Sequence, residues 1–115
     1  RYHGMAPLLS HVHDLGMIEA LAVPQSECFV AAIQFARAEG IVAAPESSHA
    51  LAACIREALA CKETGEERVI LAALSGLGHL DMPSYQAYLT GAISDEVITE
   101  DRFTASLAEL PEIQG

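Results

Sequence analysis

The sequence predicts an α/β protein, with crossover units of helix and strand around a parallel sheet, on three observations. Six consecutive apolar residues, Val69 to Leu74, have the pattern of a strand covered on both faces rather than the alternation of a half-exposed one. Ile18 to Val23 is a second short apolar run, broken only by Glu19 and closed by Pro24. Segments of helical periodicity ended by glycines surround these runs, so the order reads helix, strand, helix, helix, strand, helix, tail.

The first helix is expected from Pro7 to Leu15, with Leu8, Val12 and Leu15 at i, i+4 and i+7, and Gly16 ends it. After the run to Val23, Ser26 is an N-cap candidate for a helix striped by Phe29, Ile33 and Ala36, with Gln34, Arg37 and Glu39 opposite and Gly40 as its stop. Pro45 fits the start of the next helix, whose expected buried stripe is Leu51, Cys54, Ile55, Ala58 and Leu59. Arg56, Glu57, Lys62 and Glu63 face water there, and Gly65 closes the helix. Beyond the apolar run to Leu74, Pro83 opens a short helix carrying Tyr85, Tyr88 and Leu89, which Gly91 ends. Residues 94–115 form an acidic tail in which a helix from about Thr99 to Leu110 places Phe103 and Leu107 at i and i+4.

At 115 residues and 51% apolar content the chain has the size of one domain, with no repeat or linker to divide it. Strands covered on both faces need several neighbours, yet only two are visible, which points to a partner subunit or to further sequence upstream. Arg1-Tyr2-His3-Gly4 lacks the character of a natural start. A net charge of −10, with six lysines and arginines, argues against nucleic acid, whose binding rests on neutralising phosphates with cations. The apolar stretches are broken well before about 18 residues and no charged-then-apolar leader opens the chain, so neither a membrane span nor a secretory signal is expected, and the cytoplasm is the expected compartment. Three cysteines fit that setting better than a disulfide framework. Cys54 and Cys61 lie about 10 Å apart along a helix axis, too far for a bridge.

Two polar turns set in this apolar sequence carry the functional signal. One is Pro45-Glu46-Ser47-Ser48-His49; the other is Leu74-Ser75-Gly76-Leu77-Gly78-His79. In open parallel sheets ligands sit outside the carboxyl ends of the strands, where Ser75 would fall. Glycines let backbone approach a ligand closely, and a hydroxyl both donates and accepts. Both turns also have bland explanations: a Gly-x-Gly turn arises for conformational reasons alone, Glu46 suits the first turn of a helix through the macrodipole, and Ser47 or Ser48 could simply cap. His11 and His13 would point about 200° apart on a helix and do not make a metal face, so no metal ligands are assigned. His79 and Asp81 could pair near the site or merely on the surface of the turn, and His49 is given no catalytic role.

The run from Gly40 to Ala50, Gly65-Glu66-Glu67-Arg68-Val69-Ile70 and Leu74-Ser75-Gly76 resemble the carboxy-terminal third of the tryptophan synthase β chain. Arg1-Tyr2-His3-Gly4-Met5-Ala6-Pro7-Leu8, Gly78-His79-Leu80-Asp81-Met82 with Tyr85 and Tyr88, and Leu107-Ala108-Glu109-Leu110-Pro111 resemble its longer, divergent β-like branch. The resemblance covers essentially the whole chain and implies a segment of a fold-type-II pyridoxal-phosphate enzyme, a lyase of amino-acid biosynthesis that joins L-serine to indole by β-replacement, giving L-tryptophan and water. It implies that Ser75 hydrogen-bonds the pyridine nitrogen, that Gly76 lines the same edge of the ring, and that Glu46 assists proton and hydroxide traffic beside the cofactor. Tyr2 and Gly4 match a stretch whose carbonyls help bind a monovalent cation.

The same resemblance places the Schiff-base lysine and the glycine-rich phosphate loop upstream of Arg1. Lys62, the one lysine present, fits neither role, so the chain alone is expected to have no synthase activity. Leu77 departs from a histidine that the divergent branch tends to carry. A homo-oligomer is expected, pairing with an α subunit is left open, and so is the choice of serine or phosphoserine as donor. The competing expectation is a non-catalytic α/β binding or interaction module derived from that fold. Apolar strand surface without its sheet should make an isolated fragment self-associate.

Overall fold

The computed structural model describes residues 6–95 and 99–108. Five α-helices and one 3-10 turn follow in order: α1 (Pro7–Asp14), α2 (Gln25–Glu39), α3 (Ser48–Thr64), the 3-10 turn Gly78–Asp81, α4 (Met82–Leu89) and α5 (Glu100–Ala108). The described residues contain no strand, which overturns the expected α/β parallel sheet and its crossover units; the described architecture is helical. A strand is a hydrogen-bonded pairing, and an apolar run supplies only half of one. Neither Ile18 to Val23 nor Val69 to Leu74 finds a ladder partner among the described residues. Ile70 and Ala72 instead line an apolar groove with Phe35, Leu51 and Ile55 of α2 and α3, while Val69 and Leu71 are 100% and 96% exposed.

The helices form for the reasons their sequences suggest. Pro7 sits in the first turn of α1, where its missing N–H removes a donor that has no partner in any case. Gly40 and Gly65 close α2 and α3 in the left-handed conformation, at φ 71° and 72°. The start of α2 differs from expectation, because Pro24 rather than Ser26 occupies the N-cap position. The Ser26 N–H donates to Asp95 Oδ1 at 2.9 Å and its hydroxyl donates to Asp95 Oδ2. A carboxylate 69 residues away thus serves the helix start, where negative charge is favoured.

Helix α2 stands between two small cores. Ala31 packs with Ala43, Leu51 and Ala52, flanked by Val23, Phe35 and Ile55. Phe29 and Ala32 pack with Tyr85, flanked by Ile33, Val42, Tyr88 and Ile93. Phe29 meets the Tyr85 ring edge to face at 5.3 Å and stacks on Tyr88 at 5.0 Å. Across the α2–α3 seam, Arg56 grips Glu27 with both ends of its guanidinium, at 2.6 and 2.5 Å. The buried stripe of α3 is shorter than its periodicity implies: Leu51 is buried and Cys54 and Ile55 are half-buried, but Ala58 and Leu59 are exposed.

These cores cover little of the chain. Its accessible surface is 9498 Å², whereas a compact monomer of 12.2 kDa would expose about 6,100 Å². The radius of gyration is 16.9 Å, against about 13 Å for a compact chain of this length. Leu8, Met17, Val69, Leu71 and Leu80 are among the exposed apolar side chains. Within the acidic tail, the predicted helix is present as α5, and residues 109–115 lie outside the described residues.

Candidate cofactor site

The two polar turns meet. The Ser47 hydroxyl accepts the Ser75 backbone N–H at 3.1 Å, donates to the Ser75 carbonyl and lies 2.9 Å from Ser75 Oγ. One buried side chain therefore holds the backbone of a residue 28 positions away on both sides of its α-carbon. Ser47 occupies the N-cap position of α3 without capping it through its side chain. The backbone N–H of Ala50, the usual partner of such a hydroxyl, donates to the Ser47 carbonyl at 3.0 Å instead, which leaves the hydroxyl for Ser75.

Glycines bring the second turn against the first. A Cβ on Gly78 would lie 2.3 Å from the Ala43 carbonyl oxygen and 2.4 Å from that of Val42. Gly76 has φ 75°, and a Cβ there would meet Ala44 Cβ at 2.8 Å. Just before Glu46, the backbone is pinned from within. The Ser48 hydroxyl, fully buried, donates to the Ala44 carbonyl at 2.9 Å, and the Tyr85 hydroxyl donates to the Ala43 carbonyl. Burial first of all pushes the Tyr85 phenol above its usual range, with the nearby Ser48 hydrogen bond opposing. Tyr85 is thus a neutral donor across the working pH range.

Glu46 is exposed at the rim of a cleft of about 500 Å³, lined also by Gln25, Phe29, His49, Asp81 and Ser84. Its size suits a small molecule. Ser75 and Gly76, both exposed, do not line that cleft and are tied to it through Ser47, the neighbour of Glu46. Asp81 and His49 share the cleft with Glu46, a gathering that spacing alone did not reveal. Cys28 also borders it, and burial, then the Glu27 charge, pushes its thiol up, which makes it an inert wall. The described residues hold no cluster of three or more potential metal ligands. The expected cation carbonyls of Tyr2 and Gly4 lie outside the described residues.

Ser47, Ser48, Tyr85 and Gly78 are the site residues that sequence reading missed or took for punctuation. Nothing local marks Ser47 as reaching Ser75, or Tyr85 as reaching Ala43.

No protein-family model matches the chain. It is 58% identical over 95 residues to "Tryptophan synthase beta chain 2" of Aquifex aeolicus, a match covering 83% of this chain and 22% of the relative. It is 56% identical over 93 residues to the protein of the same name from Methanosarcina acetivorans, covering 81% and 21%. To "Tryptophan synthase beta chain" of Pyrococcus horikoshii it is 53% identical over 95 residues, covering 83% and 21%. The joined turns therefore lie in a segment that those proteins share. The chain is of tryptophan synthase β-chain origin, matches the carboxy-terminal part of those proteins, and spans about one fifth of their length.

Proposed function

We propose that this chain is a single carboxy-terminal segment of a pyridoxal-phosphate-dependent tryptophan synthase β-like enzyme and supplies one side of its cofactor site. The observation that carries the reading is the fixed, exposed Ser75, held by Ser47 in a segment 58% identical to a tryptophan synthase β chain. A neutral hydroxyl on immobilised backbone fits a ring nitrogen, to which it donates without forcing a proton onto it. Pyridoxal phosphate, when bound, supplies the electron sink for replacing the serine hydroxyl by indole.

In this reading Ser75 Oγ orients the ring, and Gly76, next to it, leaves the ring edge unobstructed by a side chain. Glu46 holds or releases a proton at its carboxylate beside the reacting carbons. Its exposure at the cleft rim supports a role in exchange with a small substrate. Lys62 is exposed in the last turn of α3 and borders no part of that cleft, so covalent attachment and phosphate anchoring fall to residues outside this chain. The segment by itself is therefore inactive. Serine and indole are the proposed substrates, with a homo-oligomer as the working form. No described helix is long and apolar enough to cross a membrane, and the cytoplasm is the proposed compartment.

The test is Ser75→Ala in a full-length protein carrying this segment. The expected result is weakened retention of pyridoxal phosphate, read by its visible absorbance, and loss of tryptophan formation from serine and indole. A full-length parent that binds no pyridoxal phosphate would identify the chain as a non-catalytic descendant of the fold.

A further inference from the structure

The hydroxyl of Ser47 has one proton and two lone pairs, and all three face Ser75. It accepts the Ser75 N–H, donates to the Ser75 carbonyl and lies within hydrogen-bond distance of Ser75 Oγ. Ser47 is 5% exposed, makes no cap bond to α3, and sits immediately after Glu46 at the head of that helix. A side chain spent entirely on one distant residue is not explained by helix formation. Its geometry instead fixes where the Ser75 hydroxyl stands.

We infer that Ser47 is a positioning residue for Ser75, holding its backbone and keeping its hydroxyl a hydrogen-bond donor toward the ligand. While the Ser47 proton is directed at the Ser75 carbonyl, the Oγ–Oγ contact is bridged by the Ser75 proton. When the Ser75 hydroxyl turns to donate a hydrogen bond to a ligand nitrogen, the Ser47 hydroxyl turns its own proton from the carbonyl to Ser75 Oγ. The relay requires only hydroxyl rotations; no covalent bond is made or broken. Because Ser75 Oγ then accepts as it donates, its bond to the ligand is strengthened. The inference rests on the reading of Ser75 as the partner of the cofactor's ring nitrogen.

The experiment compares Ser47→Ala, Ser47→Thr and Ser75→Ala in the full-length protein carrying this segment. Hydrogen exchange of the Ser75 amide is measured without cofactor, and retention of pyridoxal phosphate is titrated separately. Ser47→Ala is expected to raise Ser75 amide exchange and to weaken cofactor retention, each by about tenfold. Ser47→Thr, which keeps the hydroxyl, is expected to restore both substantially and so to separate the relay from a general folding defect. If Ser75→Ala weakens retention but Ser47→Ala changes neither quantity, the positioning role is overturned while the cofactor reading stands. If Ser75→Ala leaves retention unchanged, the cofactor reading itself fails and the ligand-directed half of the inference fails with it.

Discussion

Tyr85, on α4, donates its hydroxyl to the carbonyl of Ala43, a residue 42 positions earlier and three before Glu46. The phenol thereby satisfies a buried backbone acceptor while its ring packs on Phe29. Tyr85→Phe keeps the ring and removes the donor. It should lower unfolding free energy by about 1–3 kcal/mol, the usual cost of stranding a buried polar group, as measured by urea titration. An unchanged midpoint and slope would mean that Ala43 finds water instead.

Gly78 and Gly91 make a matched pair of probes. At Gly78 an added methyl collides with two backbone oxygens, at 2.3 and 2.4 Å, neither of which belongs to a flexible side chain. At Gly91 nothing lies within 4 Å, and only its φ of 74° opposes alanine. Gly91→Ala should cost about 1–2 kcal/mol, whereas Gly78→Ala should cost more and also release Ser75 from Ser47. Thermal melting ranks the two, and amide exchange at Ser75 shows whether the contact is lost.

Glu27 is held below its ordinary value of 4.5, chiefly by its hydrogen bond to Arg56. A depressed folded-state value means that this contribution is complete above about the unfolded value, here 4.5, and disappears as pH falls through the lowered one. Glu27→Gln should therefore reduce stability at neutral pH and flatten its loss below pH 4.5. The pair is solvent-exposed, so the effect should also shrink in high salt. Chemical unfolding across a pH series, at two salt concentrations, checks both.

Val69 and Leu71 present apolar side chains to water at 100% and 96% exposure. Lysine at both positions should reduce concentration-dependent association of the isolated chain, since a broad apolar patch favours contact with other surfaces. Light scattering across a dilution series measures the change. A parent chain that is already monodisperse and monomeric at high concentration would contradict the expectation.

The helices were legible because their signals are local. Pro7, Gly40 and Gly65 stand where helix geometry wants them, and Phe29 and Leu51 were correctly assigned to buried stripes. The sheet was misread because an apolar run records the cover a segment requires and says nothing about which segment pairs with it. Val69 to Leu74 supplied the first kind of information alone. For the candidate site, the two turns and the family resemblance point to Ser75, Gly76 and Glu46. The hydroxyl that joins the turns escaped notice because Ser47 sits in a helix-cap position, and only the folded chain reveals that its bonds run to Ser75.

Helix α3 is 17 residues long, a rod of about 25 Å. Ser47 is at its head, while its flank is fastened to α2 by Leu51, Ala52 and Arg56. The rod is therefore a lever whose short arm carries Ser75. A side chain that widened the α2–α3 seam would shift Ser47 and, through its hydroxyl, re-aim Ser75.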